Sequence, residues 1–186
     1  MKPSIHALFV ASLFAAAFDL QAVLMKPLPL AELSQRDDLI VHGTVLSKTC
    51  QRDDAGRIFT KIELKVTEIW KGAVPGGTLT IFQGGGTVGN ERVEVSGEAQ
   101  YAIGEEVVAF LVVNPRGLPI TLALGQGKFH VWQDRQTGEK FAHNLFHGAT
   151  EQKVGSEALA PEHTVARPAA RLKLKDLKQH VRGGKL

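Results

Sequence analysis

The sequence has little of what small proteins use as staples or as nucleic-acid platforms. Its 186 residues contain a single Cys, so no disulfide can form within the chain. Aromatic residues make up only 6%, with one Tyr and two Trp, which leaves few rings on which bases could stack and argues against a nucleic-acid surface. Charge of one sign is also scarce: the net charge is +3 and 44% of residues are hydrophobic, unlike a chain that stays disordered. A chain of this length buries about 70% of its unfolded surface, so it needs no metal or disulfide for stability. Recognisable catalytic signatures are missing as well. There is no G-x-S-x-G elbow, no H-E-x-x-H zinc motif and no P-loop.

What is present begins with an export signal. Lys2 precedes an uncharged run from Ile5 to Phe18, through Leu8, Phe9, Val10, Leu13, Phe14 and Ala15 to Ala17, and Asp19 closes it. A positive start followed by a short apolar stretch is the pattern of a secretory signal peptide. The run falls short of the roughly 20 residues that cross a bilayer as a helix. Small residues place cleavage after Ala22, with Ala17 as the alternative, so residues 1–22 are expected to be removed. The mature chain is then periplasmic or secreted, with no transmembrane segment. In an oxidising compartment the lone Cys50 can pair only with another molecule. Its neighbours Thr49, Gln51 and Arg52 include no histidine to activate it, and an incidental, half-exposed thiol is expected.

Residues 23–148 read as one β-rich domain. Pro27 to Asp38 predicts a short helix through Leu30 and Leu33, and Leu39 to Ser47 a strand. Gln51 to Arg57 is hairpin-loop chemistry. From Ile58 to Trp70, apolar Ile58, Ile62, Leu64 and Val66 alternate with Lys61, Glu63, Lys65 and Thr67, the pattern of a half-buried strand. At about 3.3 Å per residue such a strand must bend, as in a closed or strongly curled sheet. Shorter strands are expected at Thr78 to Phe82, around Val93 and Val95, and at Leu118 to Leu124, Lys128 to Gln133 and Glu139 to Leu145. Val107 to Val113 has no polar member, which predicts a central strand buried on both faces. Strands joined by short turns, without alternating helices, indicate a mainly β fold, a small antiparallel Greek-key barrel or a sandwich.

The tail differs in composition. Residues 149–170 read as an irregular wrapping segment, and 171–186 as a basic amphipathic helix with Leu174, Leu177 and Val181 along one face. From Arg167 to Leu186 seven basic residues stand against Asp176 alone. Because the apolar residues keep helical spacing while the lysines scatter, a helix docked on the barrel is expected rather than a membrane-surface element.

Candidate chemistry is sparse. Gly84, Gly86 and Gly89 spell G-x-G-x-x-G after a strand, but Val88 to Val95 alternates like a strand where a pyrophosphate site needs a helix. Gly84 to Asn90 therefore reads as a turn or bulge, and no cofactor is expected. His143 and His147 have the spacing of a helical zinc pair, yet Asn144 stands where a metalloprotease carries Glu and no third ligand is in view. On a strand their rings would lie about 13 Å apart. They are weak metal candidates, and no metal is assigned. His42 reads as a satisfied sheet residue. Ser96 has no base beside it, and the adjacent acids Asp53/Asp54 and Glu105/Glu106 point apart on a strand, so neither makes a glycosidase pair.

The order of segments resembles a group of secreted bacterial proteins. The shared pattern is DLIVHGTV at Asp38 to Val45, T-x-I-x-L-x-V-x-E-x-W-K-G at Thr60 to Gly72, the triplet Gly84 to Gly86, Val95 to Gly97, G-E-x-V-x-x-F-L at Gly104 to Leu111 and GQGKFHV at Gly125 to Val131. In architecture these are similar to the OB-type barrel of netrin and tissue-inhibitor-of-metalloproteinase modules. The resemblance covers about residues 30 to 135. It implies an OB-like, protein-binding domain, with a secreted protease among the partners. Those inhibitors chelate the protease zinc through an N-terminal Cys. Neither predicted mature terminus here, Val23 or Phe18, is Cys, so that mechanism does not transfer.

These readings converge on an exported, non-enzymatic binding module of the envelope or medium, whose partner is an extracytoplasmic protein. Its expected contact residues are Gly84, Gly85, Gly86, Thr87, Gly89 and Asn90, together with the turn Pro75 to Gly77. Two other readings stand beside it: a secreted enzyme whose site only the fold assembles, and a metal-binding accessory protein.

Overall fold

The computed structural model describes residues 26–148 and 171–183. The expected signal peptide and the 149–170 segment lie outside them. Two long strands, β1 (Leu39–Arg52) and β2 (Ile58–Lys71), pair antiparallel as one ribbon. Asp53 shapes the reversal between them: its carboxylate accepts the amides of Ala55 and Arg57, and Gly56 supplies a positive φ of 76°. Register shifts at Ile40/Val41, His42/Gly43 and Val45/Ser47 bend the ribbon, as its length requires. Gly43 sits at one bend because a Cβ there would strike the carbonyl oxygen of Lys65.

A 3-10 turn at Pro75–Gly77 leads to β3 (Thr78–Gly84), which runs antiparallel to β2. The expected glycine loop instead forms a second small hairpin, β4 (Gly86–Val88) with β5 (Glu91–Val93), because Gly89 turns at φ 60° and leaves both flanks extended. Strand β6 (Glu106–Val113) pairs with β1 along one edge. Its other edge is shared by β7 (Pro119–Thr121) and β8 (Lys128–Gln133). β7 meets β3 at Phe82 and Ile120, so the order β1-β2-β3-β7-β6 closes on β1 as a five-stranded barrel. The β3–β7 pair is parallel, which corrects the all-antiparallel expectation: the sheet is mixed. β9 (Lys140–His143) and β10 (Leu172–Lys173) extend it past β8. Helices α1 (Leu30–Arg36) and α2 (Leu174–Val181) complete the described chain. No helix among the described residues is long and apolar enough to cross a membrane.

Alternation along β6 divides the core into two layers. Val107, Ala109 and Leu111 face the barrel interior with Val41, Val45, Ile62, Leu64, Ile81 and Tyr101. Val108 and Phe110 face outward and join Leu33, Ile40, Trp70, Phe129, Val131, Ala142 and Leu177. The strand is thus buried on both faces, as its composition predicts, until Val113, which is 47% exposed. Several boundaries move inward from the expected ones. The Leu118 to Leu124 strand stops at Thr121, because Ala123 and Leu124 take left-handed φ values of 50° and 59° and lead into a 3-10 turn at Leu124–Gly127. α1 begins after Pro29 rather than at Pro27, and α2 begins at Leu174 rather than Arg171, because Leu172 and Lys173 pair with β9 first.

Among the described residues of the basic tail, Arg171, Lys173, Lys175 and Lys178 are paired. Lys173 and Lys175 reach Glu139 at 2.8 and 3.2 Å, and Lys178 reaches Glu68 at 2.5 Å. Arg171 lies over the rings of Trp132 and Phe141 and 3.7 Å from Asp134. With Leu177 fully buried, α2 docks on the barrel by its apolar stripe.

Candidate functional site

The glycine triplet opens onto a cleft of roughly 700 Å³. β1 contributes Lys48 and Cys50 and β2 Thr60 to the floor, while Gln83 and Gly84 end β3 beside them. Gly85, Gly86 and Thr87 and the segment Arg92 to Glu98 complete the lining, with Gly86 and Thr87 paired to Val93 and Arg92 in the β4–β5 hairpin. Of the expected contact residues, Gly84, Gly85, Gly86 and Thr87 line this cleft; Gly89 and Asn90 lie at the hairpin tip, outside the lining. The Pro75–Gly77 turn lies at the far end of β3 and takes no part.

Close packing explains the glycines. A Cβ on Gly86, whose φ is 132°, would lie 2.6 Å from both Cys50 Sγ and Thr60 Oγ1. The Thr60 hydroxyl donates to the Gly85 carbonyl at 2.7 Å, which ties the hairpin to β2. Cys50 Sγ is 3.4 Å from the same hydroxyl. Hydrogen bonds from Thr60 and from the Thr87 backbone hold the Cys50 thiol below its ordinary pKa, although the Gly85 carbonyl competes for the single Thr60 proton. Among the described residues no histidine or carboxylate is hydrogen-bonded to the thiol, so none is paired with it there as a general base.

The rest of the cleft mixes main-chain edges, modest charge and exposed valine. Gln83 is buried and donates to the Ala99 carbonyl at 2.6 Å and to Glu98 at 3.1 Å. Burial raises the Glu98 pKa, against the opposing bond from Gln83. Arg92 pairs with Glu94, so the cleft has no strong net field. Val93 and Val95 are 41% and 40% exposed, an apolar lining that no described side chain covers.

The structure separates His143 from His147. The strand ends at His143, and Asn144 turns the chain by accepting the amides of Phe146 and His147. His147 bonds the Leu28 carbonyl oxygen at 2.8 Å and stacks on Phe129, a structural post. His143 instead faces His130 across the β8–β9 hairpin, with ring centres 5.2 Å apart. Burial, then the nearness of His130 and Lys128, lowers the His143 pKa. Among the described residues no three of His, Cys, Asp and Glu gather around a common metal position.

The two adjacent acids diverge as expected. Glu105 turns to His130 Nδ1 at 2.8 Å and to Lys128, while Glu106 accepts from Lys140 at 2.7 and 2.9 Å and lies 2.6 Å from His42 Nε2. His42 was expected to be a satisfied sheet residue; its Nε2 meets Glu106, while among the described residues its buried Nδ1 has no hydrogen-bond partner. Spacing along the chain does not single out His130, which meets His143 only across the hairpin. The turn Asp134 to Gly138 fixes the register that sets residue 130 opposite 143. No protein-family model matches the chain, and no curated protein matches it either.

Proposed function

We propose that the chain is an exported, non-enzymatic binding module that holds an extended segment of another extracytoplasmic protein in the glycine cleft. The barrel itself supports an OB-like reading, since its strand order β1-β2-β3-β7-β6 returns to β1 with a parallel closing pair between β3 and β7. The observation that carries the functional reading is the composition of the cleft walls. Gly84 to Gly86 and Val93 to Gly97 line the cleft with small residues and two exposed valines, and among the described residues no three metal-ligating side chains gather there. Such a surface suits an extended segment whose small apolar side chains meet the valines. The N-terminal pattern of Lys2 and Ile5 to Phe18 supports export.

Blocking the cleft tests this reading. Immobilised mature protein and its Thr87→Arg and Ser96→Arg variants would be incubated with extract of the native envelope, and the retained proteins identified by mass spectrometry. The reading expects at least one protein retained by the wild type and lost from both variants. Identical retention by all three would refute it.

A further inference from the structure

A separate pair of side chains, away from the cleft, carries a second kind of binding. We propose that His130 and His143 form an open binding site for a zinc ion, with Glu105 orienting His130. The two residues are direct cross-strand partners on β8 and β9, so the sheet fixes the distance between their rings. Their ring centres lie 5.2 Å apart at an interplanar angle of 69°. A zinc ion held at about 2.0–2.1 Å from one nitrogen of each imidazole, at a tetrahedral angle, sets the ring centres about 5 Å apart. The observed ring separation matches that spacing.

The surroundings fit the same chemistry. Glu105 is ionised and mostly buried, and it accepts the Nδ1 proton of His130 at 2.8 Å. That bond fixes the tautomer and leaves Nε2 with its lone pair free, the carboxylate–histidine arrangement that stands behind metal-ligating imidazoles. Lys128 is the neighbouring cation, and it is paired to the same Glu105 while lying over the Tyr101 ring. On the other side, the stacked rings of Trp132 and Phe141 hold the hairpin in register. Phe129 and Val131 point to the opposite, buried face, so the histidines occupy the face that the core does not use. Two protein donors leave the remaining zinc positions to water or to a donor from a partner. The site is therefore open and exchangeable rather than a structural zinc.

Calorimetric titration of Zn2+ into the untagged mature protein, freed of metal, tests the proposal. Co2+ serves as the spectroscopic stand-in, because a tetrahedral ion absorbs far more strongly in the visible than an octahedral one. The expected result is one zinc per chain, with affinity reduced at least about 10-fold by His130→Ala or by His143→Ala. Glu105→Gln should reduce it by about 10- to 100-fold while the fold is retained. His147→Gln should leave it unchanged, and the tetrahedral Co2+ band should vanish in the His130→Ala/His143→Ala double variant. Absence of zinc binding by the folded wild type would overturn the proposal. So would binding that persists in the double variant, or that His147→Gln abolishes.

Discussion

Truncating Leu177 measures whether α2 is part of the fold or an appendage. Leu177 is fully buried among Leu33, Ile40, Phe110 and Phe129, in the outer of the two core layers. Leu177→Ala removes that contact without weakening the helix itself, since alanine is the better helix former. A buried Leu→Ala change costs about 2–5 kcal/mol through lost transfer energy and the residual cavity. At roughly 2–4 °C per kcal/mol for a protein of this size, the melting temperature should fall by about 5–15 °C. The charged face makes the opposite forecast. Lys175 and Lys178 are 69% and 33% exposed in their pairs with Glu139 and Glu68, and such pairs contribute about 0–1 kcal/mol each. Reversing Lys175 and Lys178 to Glu should therefore move the midpoint much less than Leu177→Ala does. Urea and thermal unfolding of both variants would decide the matter. A loss under about 1 kcal/mol for Leu177→Ala, or a larger loss for the charge reversals, would refute the docked-helix argument.

The acid stability of the protein should depend on Glu106. Burial opposes ionisation of this carboxylate, but Lys140 and His42 outweigh it and hold its pKa below the ordinary value. A depressed folded pKa gives stability that is complete above the unfolded value of about 4.3 and is lost as pH falls through the folded one. Glu106→Gln should therefore lower stability near neutral pH and make the decline from about pH 5 to pH 3 shallower in urea titrations; an unchanged slope would refute it. Export should leave a product from the native host whose intact mass lacks residues 1–22, or 1–17 if the earlier cut is used, whereas a full-length cytoplasmic product would refute it.

Residue patterning made some elements legible and left others hidden, for physical reasons. The alternation from Ile58 to Trp70 exposes β2 because one face meets the core and the other meets water. The unbroken run Val107 to Val113 exposes β6 because two apolar layers sandwich it. The parallel closure was not legible. It rests on the single pair Phe82 and Ile120 and on a three-residue strand, too short to show a period. Of the small hairpin, β5 shows in the sequence as the short exposed strand around Val93, whereas β4, three residues inside the glycine-rich run, is too short to show a period. In the candidate sites, the glycine triplet pointed to Gly84–Gly86, but Cys50 and Thr60, which leave no room for a Cβ at Gly86, come from another hairpin. His130 was accessible to sequence reasoning through the turn at Asp134 to Gly138, since hairpin register follows from the turn.

Stability and the candidate sites lie in different parts of the same strands, and this follows from where the barrel closes. β1 is paired on both edges only from Ile40 to Thr44, where β2 and β6 flank it. Beyond Val45 it pairs with β2 alone, and its burial falls away from Ser47 to Arg52. That free half needs no core-facing residues, so it can carry Ser47, Lys48, Thr49, Cys50, Gln51 and Arg52, two of which floor the cleft. On the opposite side of β6, the β8–β9 ribbon gives one face to the core through Phe129, Val131 and Ala142 and keeps the other for His130 and His143. Each site thus rests on an extension whose base is locked into the closed barrel and whose working face contributes little burial. Such placement holds side chains in fixed geometry while leaving them exchangeable with a ligand. Thr87→Arg and Ser96→Arg should consequently abolish binding at the cleft with little change in the unfolding midpoint, and a loss of stability comparable to that of Leu177→Ala would show that the cleft walls belong to the core after all.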